Sequence, residues 1–326
     1  VEFSEPALYA IEREVSVIAS EFSRTINIVP HLSSVTDKAA VQRIFKRWKP
    51  QTVFHAAAYK HVPLVEANAL EGLANNIIGT DNVSRAARDA GTERFILVST
   101  DKAVRPTNVM GASKRVCELL LENLSRNPGQ TSFAMVRFGN VLGSSGSVVP
   151  LFREQIAGGG PVTVTDRKMT RYFMTIPEAS QLVLEAGAMG DGGEIFIFDM
   201  GESVKIFDLA KNMIKLSGLR YPEDINIKIT GLRPGEKLYE ELLANGENTL
   251  PTYHKKIMIG KTRALDYTLV RSKIDELCVS NMFFNGSTVS LMKEIVPEYI
   301  SNNSKLCQLD KKKEKRNKNH PLKKVL

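Results

Sequence analysis

Thr100, Asp101 and Lys102 place a hydroxyl, a carboxylate and an amine directly after the apolar run Phe95-Ile96-Leu97-Val98. Such runs read as buried strands of a parallel sheet. Sheets of that kind bind ligands beyond the C-terminal ends of their strands. A carboxyl group and an amine on one such loop can give a proton to one ligand atom and take a proton from another. Read alone, an Asp-Lys pair in a loop is an ordinary solvated pair, and a threonine at a strand end is an ordinary cap. A lysine acts as a base near neutral pH only where burial or a neighbouring cation lowers its pKa. Lys114 lies in the helical stretch that follows, where by itself it would be an exposed helix lysine.

Two arginines, Arg171 and Arg233, carry the planar fork that suits phosphate oxygens, although a single arginine is usually a surface ion pair. The glycines of Gly143–Gly146 can cradle a ligand or merely turn the chain. Gly158-Gly159-Gly160 is followed by no phosphate-loop lysine motif and reads as a flexible turn. His61 beside Lys60 reads as a structural histidine in a turn. Cys117, Cys278 and Cys307 are far apart, with neither metal-ligand spacing nor a disulfide framework. No metal is expected, and the cysteine usage fits a reducing, cytoplasmic setting.

The elements that must hold these groups alternate in type. Strands are expected at Thr25–Val29, Thr52–Ala56, Arg94–Ser99, Ser132–Phe138 and Glu194–Asp199. Helices are expected at Asp37–Trp48, from Pro63 to about Ala90, from Asn108 to Ser125, near Pro177–Ala188 and at Ile206–Leu216. The alternation implies βαβ units around a parallel sheet: an α/β, Rossmann-like, doubly wound fold with a smaller mixed α/β region. Residues 1–141 read as the sheet domain. Residues 142–261 read as a second region interleaved with the last sheet strands. Residues 262–304 look helical, with a loop rich in Asn and Gly, and 305–326 read as a basic disordered tail.

With 326 residues, 43% hydrophobic and 25% charged, the chain is of ordinary globular composition and long enough for a sizeable core. The net charge of +8 is concentrated at one end. From Lys305 to Leu326 there are nine Lys/Arg and two Asp/Glu, which leaves the body near +1. That argues against a nucleic-acid surface and for a solvated tail. No apolar run approaches the roughly 20 residues that span a bilayer. The first glycine of the sequence is Gly72. A dinucleotide-binding sheet ordinarily opens on a strand, a glycine-rich turn and a helix, so that turn is missing from the sequence as given.

Several fragments together resemble a known family. They are Ser99-Thr100-Asp101-Lys102-Ala103 with Pro106-Thr107-Asn108 and Met110-Gly111-Ala112-Ser113-Lys114, and Phe54-His55-Ala56-Ala57-Ala58-Tyr59-Lys60-His61-Val62-Pro63. Asn76 with Gly79-Thr80, Arg137–Ser144, Thr170–Met174 and Leu232–Leu238 complete the set. In order and spacing they resemble the extended short-chain dehydrogenase/reductases that act on nucleotide sugars. Within these they are most similar to the CapD-type polysaccharide biosynthesis proteins, the UDP-N-acetylglucosamine 4,6-dehydratases. The similarity runs from Glu2 to about Gly260. It implies that Glu2-Phe3-Ser4-Glu5 ends the second strand of the sheet and that the phosphate loop lies upstream of Val1. Relatives also carry upstream transmembrane helices, so the chain would be the cytoplasmic part of an anchored parent. Membrane contact is expected only through that region, or weakly through the basic tail.

The resemblance implies a chemistry. Sugar C4 is oxidised by NAD or NADP, water is lost across C5 and C6, and the hydride returns to C6. Asp101 would be the acid toward the C6 oxygen and Lys102 the base at C5. Thr100 would orient the C4 oxygen, and Lys114 would bond the nicotinamide ribose. Met110 stands where the superfamily usually has a tyrosine base, and methionine has no proton to exchange. Either the site is inactive, or it resembles the large dehydratases with Met at this place and relays the C4 proton through Asp101 or a water. Glu2, Ser34, Val35, Ala56, Ala57, Ala58 and Asn76 would line the cofactor, which is expected to bind tightly in the full-length parent. Lys60, Asn140, Arg171, Arg233 and Glu236 would hold a UDP-sugar. The expected function is a 4,6-dehydratase in surface polysaccharide synthesis. The alternatives are a nucleotide-sugar 4-epimerase and a non-catalytic nucleotide-sugar-binding relative. Relatives form homo-oligomers, with the helices near Pro63–Ala90 and Asn108–Ser125 as suitable faces.

Overall fold

The structure is a computed structural model and describes residues 1–126, 129–243, 249–261, 266–280 and 285–310. Its centre is a six-stranded sheet. The spatial order is Thr52–His55, Arg94–Val98, Ser132–Arg137, Ile195–Phe198, Ile257–Gly260 and Thr249–Pro251. The first four strands are parallel, and the last two are antiparallel. Side chains alternate across the sheet, as the two-residue strand period requires. Phe95, Leu97, Phe133, Met135, Ile195 and Ile197 enter one apolar core, and Ile96, Ala134, Val136, Phe196 and Phe198 enter another. Helices Lys38–Trp48, Gly79–Asp89 and Val109–Ser125 cover the first face, and Ile176–Met189 covers the second. This is the doubly wound Rossmann-like arrangement.

A third core belongs to the smaller region. Helices Val148–Ala157 and Ile206–Leu216 enclose Phe152, Ile156, Ala210 and Ile214 against the parallel pair Val162–Val164 and Ile227–Ile229.

Four expectations change. Thr25–Val29 forms no strand. The described chain offers it no neighbour, Ile26 and Val29 are exposed, and the nearby pairing is one bridge between Glu2 and Leu32. The long helix from Pro63 breaks into Val62–Ala67, Ala69–Leu73, a π-helical turn Ala74–Ile78, and Gly79–Asp89. Asn68 leaves helical dihedrals and bonds its side chain back to Leu64 O. The Asn76 carbonyl accepts from Thr80 Oγ1 and Cys117 Sγ. Such widened turns gather where side chains compete for the helical carbonyls.

Helix Val109–Ser125 is no exposed oligomer face. It is buried almost throughout, and Tyr267–Ser280 and Asn285–Ile295 pack over it. Arg271 of the first of these also bonds Asp81 on Gly79–Asp89. The tail begins later than expected, because Asp310 bonds Lys293 and the Ser301 amide and anchors residues 305–310. Residues 311–326 lie outside the described residues. Among the described residues no helix is long and apolar enough to cross a membrane.

Candidate active site

The loop after Arg94–Val98 is a 3₁₀ turn, Asp101–Ala103, capped by Thr100, whose hydroxyl accepts from the Lys102 amide. The same hydroxyl donates to Asp101 Oδ1 at 2.9 Å. Lys102 Nζ donates to Asp101 Oδ1 at 3.0 Å and to Asn140 Oδ1 at 3.2 Å. Thr100, Asp101, Lys102 and Asn140 are therefore one hydrogen-bonded chain. Asp101 is fully buried, and its Oδ2 has no partner among the described residues. This is no solvated loop pair.

The charge state of Lys102 departs from expectation. Burial pulls its pKa down, and Arg171 adds to that. Asp101 and Glu240 outweigh both, so the pKa is raised and the lysine rests as an ammonium.

Two features fix the loop. Helix Val109–Ser125 starts on an Asn108 cap, and Gly111 of its first turn sits against the Lys102 carbonyl. A Cβ on Gly111 would lie 2.2 Å from that oxygen. Beneath the loop, Ser99 Oγ donates to Glu118 Oε1 at 2.6 Å. Glu118 also takes both bonds of the Arg137 fork and one from Arg115. Arg115 continues to Glu122, which accepts from Tyr267. Burial alone would raise Glu118, but the two arginines and Ser99 hold it at about 2. The sequence reading missed this network. The signal was Arg137, a cation ending the otherwise apolar strand Phe133–Val136, which demands a buried partner.

Lys114 is buried and donates from Nζ to Val98 O at 2.9 Å, next to the loop. Burial lowers its pKa against the pull of Cys117 and Glu118. Met110 is buried in the apolar core. Asn76 is spent within the protein, on Tyr59 N and O and on Ser113 Oγ. Ala56 and Ala57 are exposed just past the strand end of Thr52–His55. Glu2 accepts from Ser4 N, Ser34 Oγ shares a hydrogen with Thr36 Oγ1, and Val35 packs against the core. No described contact joins these last three residues to the Thr100–Lys102 loop.

The second region brings Arg171 in, but its guanidinium is bound to the carbonyls of Thr170, Leu238 and Lys237 rather than left open. Its Nη2 lies 3.9 Å from Glu240 Oε1. Arg233 is largely exposed and pairs with Glu236 at 2.6 Å. His61 abuts the glycine turn: a Cβ on Gly146 would lie 2.4 Å from its ring, and Lys60 precedes it in the chain. Both have lowered pKa values, chiefly through burial, with Lys60 and Arg233 adding to the effect on His61. Glu240 was also missed. It follows the Leu232–Leu238 fragment with no periodicity to mark it, yet it is buried beside Lys102. Among the described residues no cluster of His, Cys, Asp and Glu could hold a metal ion.

A doubly wound sheet with Thr100 at a strand end and Lys114 on the helix after it agrees with the resemblance to the short-chain dehydrogenase/reductases. Residues 1–262 match the family described as polysaccharide biosynthesis protein, and the chain belongs to that family. It is 50% identical over 289 residues to the capsular polysaccharide biosynthesis protein CapD of Staphylococcus aureus, covering 89% of this chain and 47% of that one. The chain thus spans about half the length of that curated relative. It is 36% identical over 268 residues to a UDP-glucose 4-epimerase of Rickettsia massiliae, covering 80% of this chain and 72% of the relative. Among solved structures, Pen from Bacillus thuringiensis superposes with a TM-score of 0.70 at 32% identity, covering 84% of this chain and 88% of Pen. The chain is thus a member of the polysaccharide biosynthesis protein family and is related in sequence to UDP-glucose 4-epimerases.

Proposed function

We propose that the chain carries the catalytic site of a nucleotide-sugar 4,6-dehydratase, acting on UDP-N-acetylglucosamine with NAD or NADP. The observation that carries this reading is the hydrogen-bonded Asp101–Lys102 pair at a strand end beside Asn140, with Asp101 fully buried. An epimerase needs no second proton-handling pair, whereas elimination needs an acid at C6 and a base at C5.

The residues fit a nicotinamide cofactor. Ala56 and Ala57 leave the neighbouring strand end exposed and free of bulk. The buried Lys114 ammonium has three donors and spends one on Val98 O. Lys114, Ala56, Ala57 and Ala58 would hold the cofactor, with the buried Asn76 fixing the Tyr59 backbone beside them and Glu2, Ser34 and Val35 toward its adenosine end. When bound, the nicotinamide supplies hydride acceptance from sugar C4 and hydride return to C6.

The chain's own groups handle protons and position. The Thr100 hydroxyl bonds the C4 oxygen and, through its 2.9 Å contact, passes the C4 proton to Asp101. Asp101 gives that proton to the C6 oxygen, which leaves as water. Lys102, as the amine, takes the C5 proton and later returns it. Asn140 holds Lys102 in line. Lys60, Asn140, Arg233 and Glu236 bind the UDP-sugar, with Arg233 free to exchange its exposed pairing with Glu236 for a phosphate, while Arg171, held by three carbonyls, braces the segment behind them. The parent protein would serve surface polysaccharide synthesis as a homo-oligomer.

The second reading is a 4-epimerase, favoured by the identity to the Rickettsia protein and disfavoured by Met110, which offers no hydroxyl base. Product mass separates the two. A product lighter than UDP-N-acetylglucosamine by one water supports the dehydratase, and an isomer of equal mass contradicts it.

A further inference from the structure

We propose that Glu240 is the group that takes a proton from Lys102 during turnover and gives it back, a third proton-handling residue of the site. The inference rests on the dehydratase reading and deepens it.

The need arises from proton accounting. Lys102 rests as an ammonium and must become an amine before it can remove the C5 proton. Asp101 cannot be the acceptor. With methionine at position 110, Asp101 is the carboxylate that the Thr100 hydroxyl reaches, and it is filled by the C4 proton until that proton leaves with the C6 oxygen. A second carboxylate has to receive the proton of Lys102.

Glu240 has that position. Its Oε1 lies 3.9 Å from Lys102 Nζ, a gap that side-chain rotation of about 1 Å closes to hydrogen-bond distance. The carboxyl is buried, with 7% of the residue exposed, and its Oε2 has no partner among the described residues. The charged groups facing it are Lys102 and Asp101 from the loop after Arg94–Val98, Arg171 from the pair Thr170–Arg171, and Lys237 from its own segment. The Lys102 and Arg171 nitrogens both stand at 3.9 Å, too far to lock a buried carboxylate in its ionised form. Nor does a hydrogen-bond acceptor at Oε2 lock the neutral form. Burial, helped by Asp101, raises its pKa above the usual carboxylate range, although Lys102, Arg171 and Lys237 oppose the shift. A group that takes and returns one proton works best when neither state is strongly preferred.

The cycle balances. Lys102 Nζ passes one proton to Glu240 Oε1, leaving an amine and a carboxylic acid. The amine takes the C5 proton as the C6–oxygen bond breaks, with Asp101 protonating the departing oxygen. Lys102 then returns a proton to C5, and Glu240 restores the ammonium. The net change in the substrate is loss of one water.

The neighbouring Glu241 has a different task. It pairs with Arg105, whose φ of 40° lies in the left-handed region, and with Lys237. It makes no described contact with Lys102 and serves as the comparison.

The test uses the full chain as parent, Glu240→Gln and Glu241→Gln, and has two arms. The first measures carbamylation of Lys102 by cyanate across pH, read by peptide mass. Loss of the Glu240 charge is expected to lower the midpoint of labelling by about one pH unit, while Glu241→Gln leaves it in place. An unmoved midpoint in Glu240→Gln overturns the coupling, whether or not the chain turns over. The second arm supplies NAD and UDP-N-acetylglucosamine in deuterium oxide and follows deuterium entry at C5 together with water loss. Glu240→Gln is expected to slow both about 100-fold. Elimination at the parent rate overturns the proposal. A parent chain that binds both ligands and eliminates nothing overturns the dehydratase reading itself.

Discussion

Glu118 accepts two bonds from the Arg137 guanidinium, from Nε at 2.8 Å and from Nη2 at 2.7 Å, with both side chains out of solvent. Through Ser99 this pair is tied to the residue before Thr100. A charge network that supports the candidate loop is thus also part of the core.

Removing Glu118 takes out the buried carboxylate that Arg137, Arg115 and Ser99 share. Glu118→Ala is expected to cost about 3–5 kcal/mol, measured by urea unfolding at neutral pH. A loss under about 1 kcal/mol would mean the network adds little to stability.

The same carboxylate sets an acid limit. Its pKa of about 2 lies below its reference value of 4.5. The unfolded chain therefore binds the proton first as pH falls. The contribution is complete above pH 4.5 and is lost as pH drops toward about 2, amounting to roughly 3 kcal/mol. Unfolding measured from pH 5 to 2 should show that slope, and Glu118→Gln should flatten it.

His55 should act at higher pH. Burial, with Lys114 adding to it, lowers its pKa from 6.5 to about 3. Its Nε2 lies 2.9 Å from Thr80 Oγ1, and Thr80 donates onward to Asn76 O, so the neutral ring donates from Nε2. The stability it gives is full above pH 6.5 and declines as pH falls toward about 3. His55→Asn should reduce the pH dependence between 6.5 and 4.5. An unchanged slope in that window would show that His55 titrates normally.

Gly111→Ala should damage the loop without touching a titratable group. The new methyl carbon would meet the Lys102 carbonyl, a backbone atom with little room to give. The expected cost is about 1–3 kcal/mol, with kcat reduced more than KM is changed. Wild-type kcat would show that the helix start does not set the loop.

Met110→Tyr probes the residue that departs from the superfamily. Met110 is 3% exposed in the core, so the larger ring should cost about 1–3 kcal/mol and leave turnover at or below the parent's. Turnover far above the parent's would contradict a proton route through Thr100 and Asp101.

Much of the fold was legible because its signals are local. The apolar run at Phe95–Val98 and the caps Asp37 and Asn108 set elements close to where the sequence placed them. Thr25–Val29 failed because a strand is made by its neighbours, and no local pattern reports whether a neighbour exists. The helix from Pro63 was misread because Asn68 and Asn76 act through side-chain bonds to carbonyls. Within the site, the Thr100-Asp101-Lys102 cluster was visible as adjacent residues. Glu240 was not, since it reaches Lys102 only across the fold. The raised pKa of Lys102 was hidden in part for the same reason, because Glu240 adds to the larger pull of the adjacent Asp101 against burial.

The central claim is elimination at the Asp101–Lys102 pair, and a substrate labelled with deuterium at sugar C4 tests it most directly. With UDP-N-acetylglucosamine and NAD, the product should lack one water and carry the label at C6. Asp101→Asn should suppress the water loss by about 100-fold or more. A product of unchanged mass with the label back at C4 would contradict the account and make the protein an epimerase.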